Sequence, residues 1–272
     1  MKFVDAHIHL ADDRYSQNVK EIVKEAKQLG VLGLVANAMD IQTSHKSLKL
    51  AKEHPNHVYA ALGIHPWNTK NLAENEVQDT VDLILANAKN RQQVVAVGEI
   101  GLDATYSGNG EPTEIQMQVF HEMLSVAEKI ELPVIIHSRG TTSQIVNMLP
   151  SYKIKKVLLH WFSQPHSILP TIVDRGYYIT EGPPALFSGG IREVIRRIPL
   201  TKFMTETDGP VRFRGPFNGK LTTPSFIPDV VDAVAELKGR EKSEVADQIF
   251  QNFVDFFELE GVRNKRHDEG TS

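Results

Sequence analysis

A single α/β domain closed as a TIM-type (β/α)8 barrel is the architecture to which this 272-residue chain points, on three grounds. Short runs rich in Val, Ile, Leu and Ala recur eight times, near 3–9, 32–37, 58–64, 94–100, 133–137, 156–160, 177–181 and 202–207. Segments with apolar residues at one-face helical spacing separate most of them, and alternating strand and helix is the signature of a parallel sheet covered by helices. Eight such units suffice for closure, and the length is close to the ~250 residues usual for this barrel. A doubly wound open sheet is the architectural alternative.

Taken in order, the first run is Phe3-Val4-Asp5-Ala6-His7-Ile8-His9-Leu10, and the helix after it shows Val19, Ile22, Val23, Ala26 and Leu29 on one face. The second run ends at Asn37, the third at Gly63-Ile64-His65-Pro66-Trp67, and the fourth in Gly98-Glu99. A helix carrying Val119, Phe120, Met123, Leu124, Ala127 and Ile130 leads to the fifth run, Pro133-Val134-Ile135-Ile136-His137. The sixth ends in His160, the seventh in Glu181, and the eighth runs into Met204-Thr205-Glu206-Thr207-Asp208. The Pro- and Gly-rich stretch 209–228 reads as a loop over the active face. A last helix is expected near 241–259, with Val245, Ile249, Phe253 and Phe256 on one side and Gly261 as its stop. No shift of composition divides the chain, so residues 1–261 read as a single (β/α)8 barrel domain and 262–272 as a polar, disordered tail.

The chain has no cysteine, which removes disulfides and thiolate metal sites and fits a cytoplasmic location. No apolar signal region opens it and no run is long enough to span a membrane. A net charge of −4 argues against a broad nucleic-acid-coating surface, but not against a local phosphate site, since bound metal ions bring their own positive charge. A monomer is the default expectation.

Chemistry is signalled by where the polar residues fall. His9, Glu99, His137, His160 and Asp208 sit at or near the C-terminal ends of apolar runs, and in a parallel barrel those ends share the face on which active sites form. Histidine and carboxylate are costly to bury there unless something offsets the desolvation, and a divalent metal does so. Side chains alternate along a strand, so His7 and His9 can grip one metal together, and the deeper Asp5 can orient a ligand histidine. His137 and His160, from neighbouring strands, suit a second metal. Glu99 can bridge both, and Asp208 closes back toward the first. Glu206 shares the face of Asp208 but lies deeper, in a supporting position. His65 is placed to hydrogen-bond a substrate phosphate or a metal-bound water. Glu181 reads equally as an extra carboxylate near the site or as an exposed loop residue, and Asn37 has no assigned role. His45, His54, His57, His121 and His166 read as surface residues.

These motifs, in this order, resemble the TatD family of metal-dependent deoxyribonucleases within the amidohydrolase-like barrels. The resemblance is carried by Asp5-Ala6-His7-Ile8-His9, Gly63-Ile64-His65-Pro66, Gly98-Glu99-Ile100-Gly101-Leu102-Asp103, Pro133 to Arg139 and Thr205-Glu206-Thr207-Asp208. It covers nearly the whole chain. It implies His7, His9, Glu99, His137, His160 and Asp208 as metal ligands, and hydrolysis of DNA phosphodiesters, commonly from the 3′ end with Mg²⁺. Three places depart from the family: Gly140 where an Asp is usual, His160-Trp161-Phe162-Ser163-Gln164 in place of His-Cys-Phe-Thr-Gly, and Val211-Arg212-Phe213-Arg214-Gly215 after the last motif. All three fall on loops that would touch substrate.

The expected reaction is two-metal hydrolysis, in which Asp208 accepts the proton of the attacking water and Glu99 holds the metals. Arg139 is placed for bidentate contact with phosphate. Arg212, Arg214 and Lys220 extend a positive track, helped by Phe213, and Trp67 stacks a terminal base. The expected partner is DNA, single-stranded or at 3′ ends. Four histidines suit Zn²⁺ or Mn²⁺ while the resemblance implies Mg²⁺, so two divalent ions drawn from these three are expected. The rival chemistry is cleavage of an amide, lactone or aminoacyl ester, including D-aminoacyl-tRNA, on the same metal centre. The rival from another class is a metal-holding binding protein without turnover.

Overall fold

The computed structural model describes residues 1–106, 110–163 and 166–259. The expected Gly261 stop and the tail from 262 onward lie outside the described residues. Eight strands form one sheet in sequence order: β1 (Phe3–Ile8), β2 (Val31–Asn37), β3 (Val58–Leu62), β4 (Val94–Gly101), β5 (Val134–His137), β6 (Val157–Leu159), β7 (Tyr178–Glu181) and β8 (Phe203–Thr205). Each pairs in parallel with the next. The strands are buried almost throughout because helices cover the outside while side chains fill the inside, hence their near-continuous apolar runs. The helices are α1 (Val19–Gln28), α2 (Ile41–Glu53), α3 (Glu76–Asn87), α4 (Glu114–Ile130), α5 (Thr142–Met148), α6 (Leu169–Asp174), α7 (Gly189–Arg197), α8 (Ile227–Lys238) and α9 (Lys242–Phe257).

Side chains stitch the seam between β8 and β1. Thr205 donates its hydroxyl to the Val4 carbonyl at 2.7 Å, and Asp5 accepts from the Thr207 N–H at 3.0 Å and the Thr207 hydroxyl at 2.5 Å. Just above, Asp208 N–H bonds the His7 carbonyl at 2.9 Å and His9 N–H bonds the Gly209 carbonyl at 2.8 Å. From below, α9 clasps β8: the Asn252 amide donates to the Leu200 and Phe203 carbonyls, each at 2.7 Å. Phe250, Phe253, Phe256 and Phe257 of α9 are buried, at about 1.5–3 kcal/mol each for full burial.

Two strands depart from simple alternation where it matters. The β1–β2 register shifts between Asp5 and Ile8, and the β4–β5 register shifts between Val97 and Ile100. Such irregularities re-aim side chains, and these intervals contain His7 and Glu99. Gly101, at φ +148°, lets the end of β4 lie against the backbone of His137, where any Cβ would collide with the carbonyl oxygen.

The expected element boundaries shift in places. His65, His160 and Asp208 lie beyond their strands rather than within them. The 209–228 segment is largely loop, with one-turn helices at Gly215–Phe217 and Pro224–Phe226, but α8 begins at Ile227. Pro228 in its first turn is compatible with helix, because the N–H it lacks would have no partner there. His57 is not a surface residue: it is buried, with Nδ1 3.1 Å from the Leu32 carbonyl.

Candidate metal centre

Four side chains from three strand ends converge on one point. His7 Nε2 and His9 Nε2 lie 3.4 Å apart, each is 3.2 Å from Glu99 Oε2, and each is 3.4 Å from Asp208 Oδ1. The His7, His9 and Glu99 donor atoms lie 3.2–3.4 Å from one another, a spacing that one ion with bonds of about 2.0–2.1 Å can span, and Asp208 faces both rings. Glu99 Oε2 is buried and has no hydrogen-bond partner despite two ring nitrogens at 3.2 Å. The groups aim at a shared centre rather than at one another, and this donor set fits a divalent metal. The His9 ring is fixed for that task, since Nδ1 lies 3.2 Å from the Asn37 carbonyl and Nε2 is left to face the centre. Asn37 thereby gains a role through its backbone. Asp208 is held in the left-handed region, at φ +49°, by the seam hydrogen bond to His7.

The other oxygen of Glu99 faces a second set. Oε1 lies 2.7 Å from His160 Nε2, 3.1 Å from His137 Nδ1 and 3.2 Å from His65 Nε2. The far nitrogens of these rings meet different groups. His137 Nε2 is 2.9 Å from Asp103 Oδ2, and His160 Nδ1 is 3.6 Å from Glu206 Oε2, so a carboxylate stands behind each ring, as behind many metal-bound imidazoles. His65 differs. Its Nδ1 accepts the Trp67 backbone N–H at 3.1 Å, so the neutral ring carries its proton on Nε2 and faces the site as a donor, not as a ligand. Burial lowers its pKa to about 4, in keeping with a neutral ring.

Charge is concentrated here without solvent. Burial opposes the charged form of His9, yet the Asp208 and Glu99 carboxylates beside its Nε2 outweigh it and hold the pKa up at about 10. Burial likewise opposes charge on His160, and the Glu99 and Glu206 carboxylates overcome it. Glu99 would be raised by its burial, but its ring neighbours, the charge of His160 foremost, keep it well below the usual carboxylate range. A divalent cation held here would displace the protons that the carboxylates favour on His9 and His160.

Asp5 touches the site by another route than expected. Its carboxylate bonds the backbone N–H groups of His7 and Thr207 rather than a histidine ring, because the β1 irregularity turns it to the seam. Burial pushes its pKa up to about 8, against the hydrogen bonds from Thr207. Glu206 stands behind His160 and accepts the Thr180 hydroxyl at 2.5 Å. Glu181 is fully buried, not an exposed loop residue, and burial followed by the nearby Glu206 raises its pKa well above normal.

The centre opens into a cavity of about 480 Å³ bordered by Trp67, Arg139, His65 and Trp161. Arg139 is exposed there. Arg14 also lines it but is tied to Asp12 at 2.9 Å. Arg212 and Arg214 lie outside this cavity and border a neighbouring one. Phe213 borders that neighbouring cavity as well, but most of its ring is buried with Phe217 and Phe226, 5.5 Å between ring centres from Trp161. Lys220 is exposed and borders neither cavity.

Asp103 is the functional residue that sequence reasoning passed over. Oδ2 accepts from Trp67 Nε1 at 2.7 Å and lies 2.9 Å from His137 Nε2, while Oδ1 accepts from the Thr105 N–H and hydroxyl and the Tyr106 N–H. It links a candidate ligand to the aromatic wall of the cavity, where Trp67 stacks on Tyr106 at 5.7 Å. Its place closing the Gly98-to-Asp103 motif was the available signal.

A nearly closed parallel barrel with histidines and carboxylates gathered at the C-terminal ends of its strands belongs among the metal-dependent hydrolases. The sequence matches the family profile described as TatD related DNase over residues 4–258, and the chain belongs to that family. It is 30% identical to the human protein named Deoxyribonuclease TATDN3, over 93% of this chain and 94% of that one. It is 27% identical to the 3'-5' ssDNA/RNA exonuclease TatD of Erwinia tasmaniensis, over 94% of this chain and 99% of that one. Among solved structures, the TatD homolog YJJV of Escherichia coli superposes with a TM-score of 0.84 at 28% identity, covering 94% of this chain and 98% of the other. Among the described residues, no helix is long and apolar enough to cross a membrane.

Proposed function

We propose that the chain is a 3′-5′ deoxyribonuclease that holds two divalent ions and cleaves single-stranded DNA or 3′ ends. The observation that carries this reading is the division of Glu99, with Oε2 toward His7, His9 and Asp208, and Oε1 toward His137 and His160. A carboxylate between two donor sets is the arrangement of a bridging ligand. The relatives named as deoxyribonuclease and 3′-5′ exonuclease support the substrate class. Two ions, when bound, would acidify a water and neutralise charge on the phosphate oxygens.

The protein groups do the rest. Asp208 turns Oδ1 toward the ring nitrogens of His7 and His9, leaving Oδ2 to accept the proton of the attacking water. His65 donates from Nε2 to a phosphate oxygen, a role its fixed tautomer supports. Arg139 meets the phosphate in bidentate fashion, with its charge exposed on the cavity wall. Trp67 stacks the terminal base. The test is cleavage of 5′-labelled single-stranded DNA by metal-stripped protein with Mg²⁺, Mn²⁺ or Zn²⁺ restored, beside Glu99→Ala. A ladder shortening from the 3′ end, absent in the variant, is expected. An intact oligonucleotide under every metal would sink the proposal and favour ester, lactone or amide substrates.

A further inference from the structure

A second cavity, of about 600 Å³, adjoins the metal-centre cavity, and Trp161 and Ser163 border both. Its wall carries Arg212, Arg214 and Phe187. Both arginines are exposed, and among the described residues neither side chain is engaged in an ion pair or hydrogen bond. Several other exposed arginines are held by carboxylates: Arg14 by Asp12, and Arg196 and Arg197 by Glu193. Phe187 is 40% exposed, a large apolar ring left open to solvent.

The loop that presents the arginines is built, not slack. Phe213 is buried between them against Phe217, Phe226 and Trp161, so the residues on either side face outward. The Thr222 hydroxyl bonds the Val211 carbonyl, and the Tyr15 hydroxyl bonds the Thr222 carbonyl, which anchors both ends of the loop to the barrel. Two unspent guanidinium groups at fixed backbone positions, beside exposed aromatic rings, are a site for successive phosphates with bases stacked between them. The metal-centre cavity, at about 480 Å³, is of a size to hold a single nucleotide. A longer strand must leave it, and the shared Trp161 wall gives the way out.

We propose that this second cavity is a binding subsite for the nucleotides on the 5′ side of the scissile bond, with Arg212 and Arg214 each on one phosphate. The inference rests on the nuclease reading. It makes strand length a determinant of turnover: an oligonucleotide long enough to reach the arginines gains contacts that a dinucleotide cannot make.

The test compares kcat/KM for a dinucleotide and a hexanucleotide in the wild type and in Arg212→Ala/Arg214→Ala. The ratio is the readout, so any general loss of activity divides out. We expect the hexanucleotide to be favoured by about tenfold or more in the wild type and by less than about threefold in the variant. Binding of a dye-labelled hexanucleotide gives a second readout. Between about 50 and about 200 mM salt the wild type should weaken about sevenfold more than the variant, at a slope of about 0.7 per phosphate contact on single strands. An unchanged length preference in the variant, with both proteins active as nucleases, would overturn the subsite and leave the nuclease standing. Failure of both proteins to cleave either oligonucleotide would overturn the nuclease reading and the subsite with it.

Discussion

Asp103→Asn separates hydrogen-bond polarity from shape at the metal centre. The substitution keeps size and planarity but replaces one acceptor oxygen with an NH2 donor. Oδ1 receives three donors, from Thr105 and Tyr106, and Oδ2 faces two, from Trp67 and His137. The amide will keep its oxygen where three donors meet it and turn its NH2 toward Trp67 and His137. His137 Nε2 can then only accept, which moves the ring proton to Nδ1, the nitrogen 3.1 Å from Glu99 Oε1. That nitrogen must lose its proton before it can bind an ion, and the Trp67 indole N–H loses its acceptor. An unpaired donor costs about 1–3 kcal/mol, and removing the partner behind a ligating histidine weakens metal binding about 10- to 100-fold. The assay is competition between metal-stripped protein and a chromophoric chelator for Zn²⁺, resolving two binding steps. One step should weaken about 10- to 100-fold while the His7–His9 step stays within about threefold. Unchanged affinity in both steps, or equal loss in both, would refute the assignment of Asp103 as the group that sets the His137 tautomer.

Two further expectations concern stability and substrate. His9 is held at about 10 and Asp5 at about 8, so the ion-free fold binds protons that the unfolded chain has released, and its stability falls as pH rises through these values. For His9 the contribution is complete below its ordinary value of 6.5 and is lost by about 10, while for Asp5 the loss begins lower, above 3.8. Between pH 6.5 and 9, melting with EDTA should drop by roughly 3–10 °C, whereas the Zn²⁺-loaded protein should lose only the part that comes from Asp5, since an ion replaces the His9 proton but not the Asp5 one; a flat EDTA profile would contradict the paired-proton account. Trp67→Ala should raise KM for single-stranded DNA about tenfold, consistent with about 1–3 kcal/mol of stacking per base, and an unchanged KM would remove Trp67 from the substrate path.

The barrel was legible because eight apolar runs and their helical separators repeat on a pattern that tertiary context reinforces. The candidate ligands were legible because histidine and carboxylate at a strand end conflict with their desolvation cost, and a conflict repeated on one face has few bland explanations. Asp103 was not, since an aspartate after Gly101-Leu102 looks like any turn former until Trp67 and His137 arrive from other segments. The burial of Glu181 and His57 was hidden for a like reason: sequence position does not say which neighbours will cover a side chain. Alternation predicted that Asp5 would look up the barrel axis, but the irregular register of β1 rotates it to the seam. Phe213 shares a cavity with Arg212 and Arg214, as its place between them suggested, but alternation within the loop buries most of its ring.

The seam where β8 meets β1 is where the chain's two ends of the circle are joined, and the first donor set straddles it: His7 and His9 on one bank, Asp208 on the other. An ion bound there would act as a clasp on the ring as well as a reagent. Chelation should loosen this join before any other, so amide exchange in β1 and in 205–209 should quicken ahead of β3 to β6. The metal that equips the enzyme for chemistry would also report whether the circle is fastened.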